Sequence, residues 1–190
     1  MNDTSMRTAG AAQEDWLKRY YFARAGFSTI WVGAVLALVP AVPGLAPALL
    51  VLYPAWDALA NLVDGHRSGG IAVNQSQALN AAASLAVTGA IAWALPDMHR
   101  VLAVFGAWAI LSGLLQLTTA LARWKTNGAQ WAMILSGAQS ALAGAVFIFQ
   151  AGAPAEPTVA TLAGYAGFGA FYFLVSALAL SVRAMRRKAA

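Results

Sequence analysis

Six apolar runs alternate with short polar breaks along the chain. They cover roughly residues 25–42, 45–63, 77–95, 99–122, 130–149 and 159–182. An α-helix rises 1.5 Å per residue, so about 20 apolar residues cross a hydrocarbon core of about 30 Å. The pattern therefore predicts an all-α integral membrane protein, with six transmembrane helices in a domain over residues 25–182.

The basic residues predict which side of the membrane each break occupies. Of the twelve Lys and Arg residues, eleven fall in the N-terminal segment, the loops after the second and fourth runs, and the tail. Only Arg100 falls in a turn on the other side. Cytoplasmic loops carry an excess of Lys and Arg, so we expect both termini in the cytoplasm.

Two polar flanks border the apolar domain. Residues 1–24 form the predicted cytoplasmic N-terminal segment, and residues 183–190 form a basic cytoplasmic tail. Within the first flank, "QEDWLKRYYFAR" (13–24) is typical of a short amphipathic helix on the membrane surface. Its predicted apolar face consists of Trp16, Leu17, Tyr20 and Tyr21.

Composition agrees with a membrane protein and excludes several other classes. Hydrophobic residues make up 60% of the chain and charged residues 10%, whereas soluble domains have about 25% charged residues. The net charge of +5 does not indicate nucleic-acid binding, because the basic residues flank the apolar runs instead of forming one patch. The sequence has no cysteine, which excludes disulfides and thiolate chemistry.

The odd-numbered runs resemble one another. "STIWVGAVLAL", "SLAVTGAIAWAL" and "QSALAGAVFIF" contain Gly33, Gly89 and Gly144, at spacings of 56 and 55 residues. Each is followed by a turn and a longer run that ends in basic residues. This period predicts three helical hairpins in the same orientation, related by an axis along the membrane normal.

The segments "FGAWAILSGLLQL" (105–117) and "WAMILSGAQSALAGAVFI" (131–148) resemble the HdeD-like family of small membrane proteins. The likeness extends over roughly residues 25–182. It implies a six-span bacterial inner-membrane protein with a stress-related role of the acid-resistance type, built from a repeated hairpin of unknown function. The second run departs from the family pattern with "YPAWDALANLVDG".

That second run carries the least expected residues. Asp57, Asn61 and Asp64 are spaced i, i+4 and i+7, which places them on one helix face. An ionised aspartate in mid-span costs about 2.5–3.5 kcal/mol on insertion scales, so Asp57 should face the protein interior, pair with a donor or be protonated. Two roles stay open for it, a structural hydrogen bond and a proton- or solute-linked function.

Further polar residues lie in the third, fourth and fifth runs: Asn80, Ser84, Gln116 and Gln139. With Asp57, Asn61 and Asp64 they form the candidate intramembrane polar site, which would line a polar path if the helices converge. The alternative is ordinary packing, in which such side chains hydrogen-bond between helices. His99 is a candidate pH-sensing residue in the turn "PDMHR", or a solvated turn residue.

The sequence contains few groups suited to catalysis. It has two histidines, no cysteine and seven carboxylates, and we expect no metal site, no cofactor and no enzymatic activity. The leading interpretation is a non-enzymatic, stress-related multi-pass protein of the inner membrane. The alternatives are a small proton- or solute-linked transporter or channel with Asp57 at its polar core, and an accessory subunit. The expected partners are the lipid bilayer and a second copy or another membrane protein, with no nucleic acid.

Overall fold

The computed structural model of the protein describes residues 3–125 and 130–189, and these residues form six α-helices joined by short connections. The helices are α1 (Asp3–Ala37), α2 (Ala46–Arg67), α3 (Gln75–Ala94), α4 (Met98–Arg123), α5 (Gln130–Ala151) and α6 (Val159–Ala189). One turn of 3-10 helix, Pro43–Leu45, precedes α2, and the described part contains no β-strand. The predicted all-helical class is confirmed.

Parts of three predicted segments lie outside the described residues. They are residues 1 and 2 of the N-terminal segment, residues 126–129 of the loop after the fourth run, and residue 190 of the basic tail.

Each helix packs antiparallel against the next one, and α6 closes the ring by packing against α1. The most extensive contacts join α2 to α3, α4 to α5, and α6 to α1, whereas the two helices of each sequential hairpin touch less. The end of the ring where α1 begins and α6 ends is called the basic end here, because it carries Arg67, Lys125 and Arg187. The opposite end is called the far end.

The ring is apolar outside and polar inside. Large apolar side chains such as Ile30, Leu142 and Phe149 are more than two-thirds exposed on its outer surface. Asp57, Asp64 and other polar side chains are buried within it. A protein that folds in water has the opposite arrangement, because water favours burial of apolar surface and exposure of charge.

Four segments are long and apolar enough to cross a membrane, among the residues that the structure describes: Pro43–Arg67, Met98–Arg123, Gln130–Ala151 and Val159–Arg187. Helices α1 and α3 are not among them. Their polar side chains, such as Arg24 in α1 and Gln77 and Asn80 in α3, point into the ring and lower the mean hydropathy. The chain thus has the composition of a helical membrane protein.

The N-terminal flank differs from the sequence-based prediction. Residues 13–24 do not form a separate surface helix but continue without a break into the rest of α1. Leu17 and Tyr21 are buried against Phe173 and Leu180 of α6, so the expected lipid-facing side of this segment is a helix–helix contact. The predicted basic tail is likewise helical, since α6 continues to Ala189.

Helices α4 and α5 approach closely through glycines. A Cβ atom on Gly113 would lie 2.6 Å from the Gly137 carbonyl oxygen, and one on Gly144 would lie 2.5 Å from the Gly106 carbonyl oxygen. Small residues of this kind let two membrane helices pack backbone to backbone. Of the three glycines in the predicted repeat, only Gly144 has this role, because Gly33 and Gly89 face open space.

Candidate functional site

A cavity of about 100 Å³ lies inside the ring and is lined by side chains from all six helices. Most of its lining residues carry a polar group, and apolar side chains such as Met133 and Phe173 complete the wall. The polar lining residues are Tyr20, Tyr21 and Arg24 of α1; Tyr53, Asp57, Asn61 and Asp64 of α2; Ser76, Gln77 and Asn80 of α3; Ser112, Gln116, Thr119 and Arg123 of α4; Gln130, Ser136, Gln139 and Ser140 of α5; and Tyr165 and Tyr172 of α6. From Tyr53 to Asp64 the lining extends about 16 Å along α2, at 1.5 Å per residue.

Asp57 forms an ion pair with Arg24 across the α1–α2 contact. The Arg24 guanidinium donates to Asp57 Oδ1, while Asn61 Nδ2 (2.9 Å) and Ser84 Oγ (2.8 Å) donate to Oδ2. Trp108 Nε1 donates to Ser84 Oγ at 2.9 Å and extends the network to α4. The Asp57 carboxylate therefore borders the cavity and is fully hydrogen-bonded.

Arg24 is held by aromatic rings as well as by Asp57. Its guanidinium carbon lies 4.3 Å from the centre of the Phe173 ring, and its Nη1 donates to the Tyr20 hydroxyl at 2.9 Å. A guanidinium over an aromatic face is stabilised by the ring quadrupole, most strongly where water is excluded. These contacts hold the Arg24 guanidinium inside the bundle of helices.

A second ion pair lies nearer the basic end. Arg123 Nη2 donates to Asp64 Oδ2 at 2.9 Å, and Gln77 Nε2 donates to the same oxygen at 3.2 Å. Trp16 Nε1 and Ser68 Oγ donate to Oδ1 at 3.2 and 3.1 Å. Both aspartates of α2 are thus paired with arginines from other helices, and these four side chains contribute no net charge.

Three serine–aromatic pairs form a layer at the end of the cavity that is nearer the far end of the ring. They are Ser28 with Tyr53 (3.3 Å), Ser84 with Trp108 (2.9 Å) and Ser140 with Tyr165 (2.7 Å). Each pair joins the odd and the even helix of one sequential hairpin. The three serines are spaced 56 and 56 residues apart, and the three aromatic residues 55 and 57 apart.

Beyond this layer the ring is filled by apolar side chains, called the apolar plug here. Its centre is Leu50, Phe105 and Leu162, each at most 1% exposed, surrounded by residues such as Trp31 and Phe147. The plug residues come from the far ends of all six helices. The cavity therefore occupies the half of the ring towards the basic end, and the far half is packed.

The structure brings the residues of the candidate polar site together. Asp57, Asn61, Asp64, Asn80, Gln116 and Gln139 line the cavity, and Ser84 lies directly behind Asp57. His99 lies apart from them at the far end, where its Nδ1 is 3.2 Å from the Ala151 carbonyl oxygen. That oxygen can only accept, so the hydrogen bond requires the hydrogen on Nδ1.

The sequence pattern does not indicate the two arginines of the site. It places Arg24 and Arg123 among the basic residues that flank the apolar runs, but both side chains point inwards to the aspartates of α2. Nothing in a single sequence pairs Arg24 with Asp57, because the pairing depends on how α1 and α2 are aligned. No group of three or more metal-ligating side chains occurs among the described residues.

Comparison with known proteins finds a family model that matches part of the chain. Residues 81–149, from α3 through α5, match the family described as a short repeat of unknown function (DUF308). DUF308 is the family of HdeD-like membrane proteins. No curated protein and no solved structure matches the chain.

Proposed function

We propose that the protein is a non-enzymatic, six-span protein of the inner membrane, and that its cavity takes up small polar solutes from the cytoplasm. The transmembrane domain is assigned to residues 25–182, as three hairpins with both termini in the cytoplasm. The lipid bilayer is its partner on the outer surface.

The distribution of charge supports this orientation. The chain begins and ends at the basic end, where Arg67, Lys125 and Arg187 also lie. Membrane proteins concentrate Lys and Arg in their cytoplasmic loops. In this orientation the cavity lies in the cytoplasmic half of the ring and the apolar plug in the outer half.

The observation that carries the proposal is the polar cavity in an otherwise apolar bundle. Polar groups inside a membrane are costly and commonly mark a solute or ion pathway. The apolar plug beyond the cavity favours an occluded, one-sided site over an open channel, since apolar constrictions exclude water and ions. Asp57 is ion-paired to Arg24, so we assign it to the wall of the cavity and not to a proton carrier.

Cysteine labelling tests the proposal directly, because the natural sequence contains no cysteine. Ser136 lines the cavity from α5, and a Ser136→Cys variant should react with a membrane-impermeant methanethiosulfonate reagent. The reagent is charged, but irreversible labelling needs only its brief entry and no stable binding. We expect fast labelling in inside-out membrane vesicles and slow labelling in right-side-out spheroplasts. Fast labelling from the outside alone would contradict the proposed orientation.

A neighbouring residue provides the matched control. Leu135 precedes Ser136 on the same helix at the same depth but is 50% exposed on the outer surface. Its cysteine variant should face lipid and stay unlabelled from both sides, because a lipid-embedded thiol is not ionised. If neither cysteine reacts from either side, the cavity is not accessible to solvent and the proposal fails.

A stress-related role is the second candidate, and the match of residues 81–149 to the DUF308 repeat favours it. It rests on the resemblance to HdeD-like proteins. Bacterial cells that carry the gene should then survive acid exposure better than cells that lack it. Equal survival of the two strains would remove this candidate and leave the cavity proposal unaffected.

A further inference from the structure

The three hairpins are equivalent at the serine–aromatic layer but differ one helical turn nearer the basic end. In the first hairpin that turn holds the Arg24–Asp57 ion pair. Counting back four residues from each serine and forward four from each aromatic residue gives Asn80 and Ser112 in the second hairpin. The same step gives Ser136 and Gly169 in the third. The side chains shorten in this order, so the second and third hairpins fill less of this level than the first.

The charges of the cavity favour an uncharged occupant. Each of the four ionised side chains in the lining is paired with one of opposite sign, Arg24 with Asp57 and Arg123 with Asp64. A charged solute would enter a low-dielectric site without a counter-ion unless it broke one of these pairs. Leaving a buried charge unpaired is strongly unfavourable, so we expect ions not to bind stably in the cavity even where they enter it briefly.

One acceptor of a cavity-lining residue is buried without a partner among the described residues. Asn80 lines the cavity and is 8% exposed, yet its Oδ1 makes no hydrogen bond within the part of the chain that the structure describes. Buried polar atoms are nearly always hydrogen-bonded, so this oxygen is a candidate position for a bound group. Because the oxygen is shielded from water, a solute reaches it only when the Asn80 amide rotates towards the cavity, and the solute must then offer an N–H or O–H donor.

Building on the proposed function, we infer that the cavity binds a small uncharged solute carrying an N–H or O–H donor, which bonds to Asn80 in the space beside Ser112, Ser136 and Gly169. A space of about 100 Å³ admits small solutes of this class, such as urea or acetamide. Solutes of this class satisfy Asn80 Oδ1 without disturbing either ion pair.

Protection of the Ser136→Cys variant tests the inference with two matched probe pairs. Urea and guanidinium have nearly the same shape and differ in charge, as do acetamide and acetate. The probes are applied to inside-out vesicles at equal, sub-denaturing concentration and equal ionic strength. We expect the uncharged member of each pair to slow labelling, by about twofold at a concentration equal to its Kd, because half the cavities are then occupied. Guanidinium and acetate should leave the rate unchanged.

An Asn80→Leu substitution in the same background separates binding from mere crowding of the cavity. It removes the acceptor and keeps a side chain of similar volume, so protection by urea and acetamide should disappear. Should Ser136→Cys fail to accumulate in membranes, Ser112→Cys reports on the same space.

Three outcomes would overturn the inference: equal protection by the charged probes, no protection by the uncharged ones, or protection that survives Asn80→Leu. All three leave the proposed function standing, because the cysteine would still be labelled from the cytoplasmic side. Loss of that labelling would reject the proposed function itself.

Discussion

The Arg24–Asp57 ion pair allows a double-mutant cycle whose outcome the structure predicts. Asp57→Asn removes the negative charge and leaves the Arg24 guanidinium buried without a counter-ion. Arg24→Gln does the reverse. Both side chains are largely buried, with relative exposures of 15% for Arg24 and 7% for Asp57, so solvent screens the pair only weakly.

The cost of each single substitution follows from the contacts. In Asp57→Asn the amide oxygen must replace Oδ2, because Asn61 and Ser84 both donate there. The new NH₂ group then faces the Arg24 guanidinium, and two donors oppose each other. Removing one partner of a buried ion pair costs about 3–5 kcal/mol. In the double variant two neutral amides face each other and can hydrogen-bond, so we expect a coupling free energy of about 2–3 kcal/mol.

Reversible unfolding in mixed micelles, followed by circular dichroism as the SDS fraction rises, measures the four free energies of the cycle. Lys18→Met serves as the control, because the Lys18–Asp15 pair is partly exposed and should contribute at most about 1 kcal/mol. If the effects of Arg24→Gln and Asp57→Asn simply add, the two side chains are not coupled and the described ion pair is wrong.

Two further substitutions test the packing and the unpartnered acceptor. Gly113→Ala should destabilise the protein by about 1–3 kcal/mol, since the new Cβ meets backbone atoms of α5, whereas Gly33→Ala faces open space and should be stabilising by up to about 1 kcal/mol. Equal effects of the two in the SDS assay would contradict the close α4–α5 contact. Asn80→Leu should raise the thermal midpoint in the absence of solute, because it removes a buried unpaired acceptor that costs about 1–3 kcal/mol; a lower midpoint would mean that Asn80 has a structural partner.

The sequence was sufficient to predict six helical segments and the polar face of α2, but not the full length of α1 and α6. Apolar runs of about 20 residues bounded by Gly, Pro and charged residues predict helices well, because local composition determines them. The i, i+4, i+7 spacing of Asp57, Asn61 and Asp64 places them on one side of any helix. These predictions need no knowledge of neighbouring helices.

The partners of those residues could not be predicted in the same way. Arg24 lies at the start of an apolar run, where composition alone assigns it to the headgroup region. In the structure α1 continues on both sides of it, and the antiparallel alignment with α2 brings it to the depth of Asp57. The surface-helix prediction for residues 13–24 differs from the structure for the same reason: composition does not tell whether an apolar face packs against lipid or against another helix.

In the internal repeat, the serines have a clearer structural role than the glycines. Gly33, Gly89 and Gly144 suggested the period, but only Gly144 is in close contact. Ser28, Ser84 and Ser140 follow the same period, and each hydrogen-bonds an aromatic residue of the next helix. A serine inside a membrane helix needs a partner, so its position is constrained more tightly than that of a glycine facing open space.

The differences between the hairpins determine what the cavity can hold. If all three carried the ion pair of the first, six charged side chains would crowd one level of the ring and leave little space between them. With one pair, Asp57 and Arg24 anchor the first hairpin to the second through Ser84, and the shorter lining residues Ser112, Ser136 and Gly169 fill less of the same level. The charge therefore stabilises one wall while the remaining walls supply hydrogen-bonding groups, which is the arrangement that an uncharged polar solute requires.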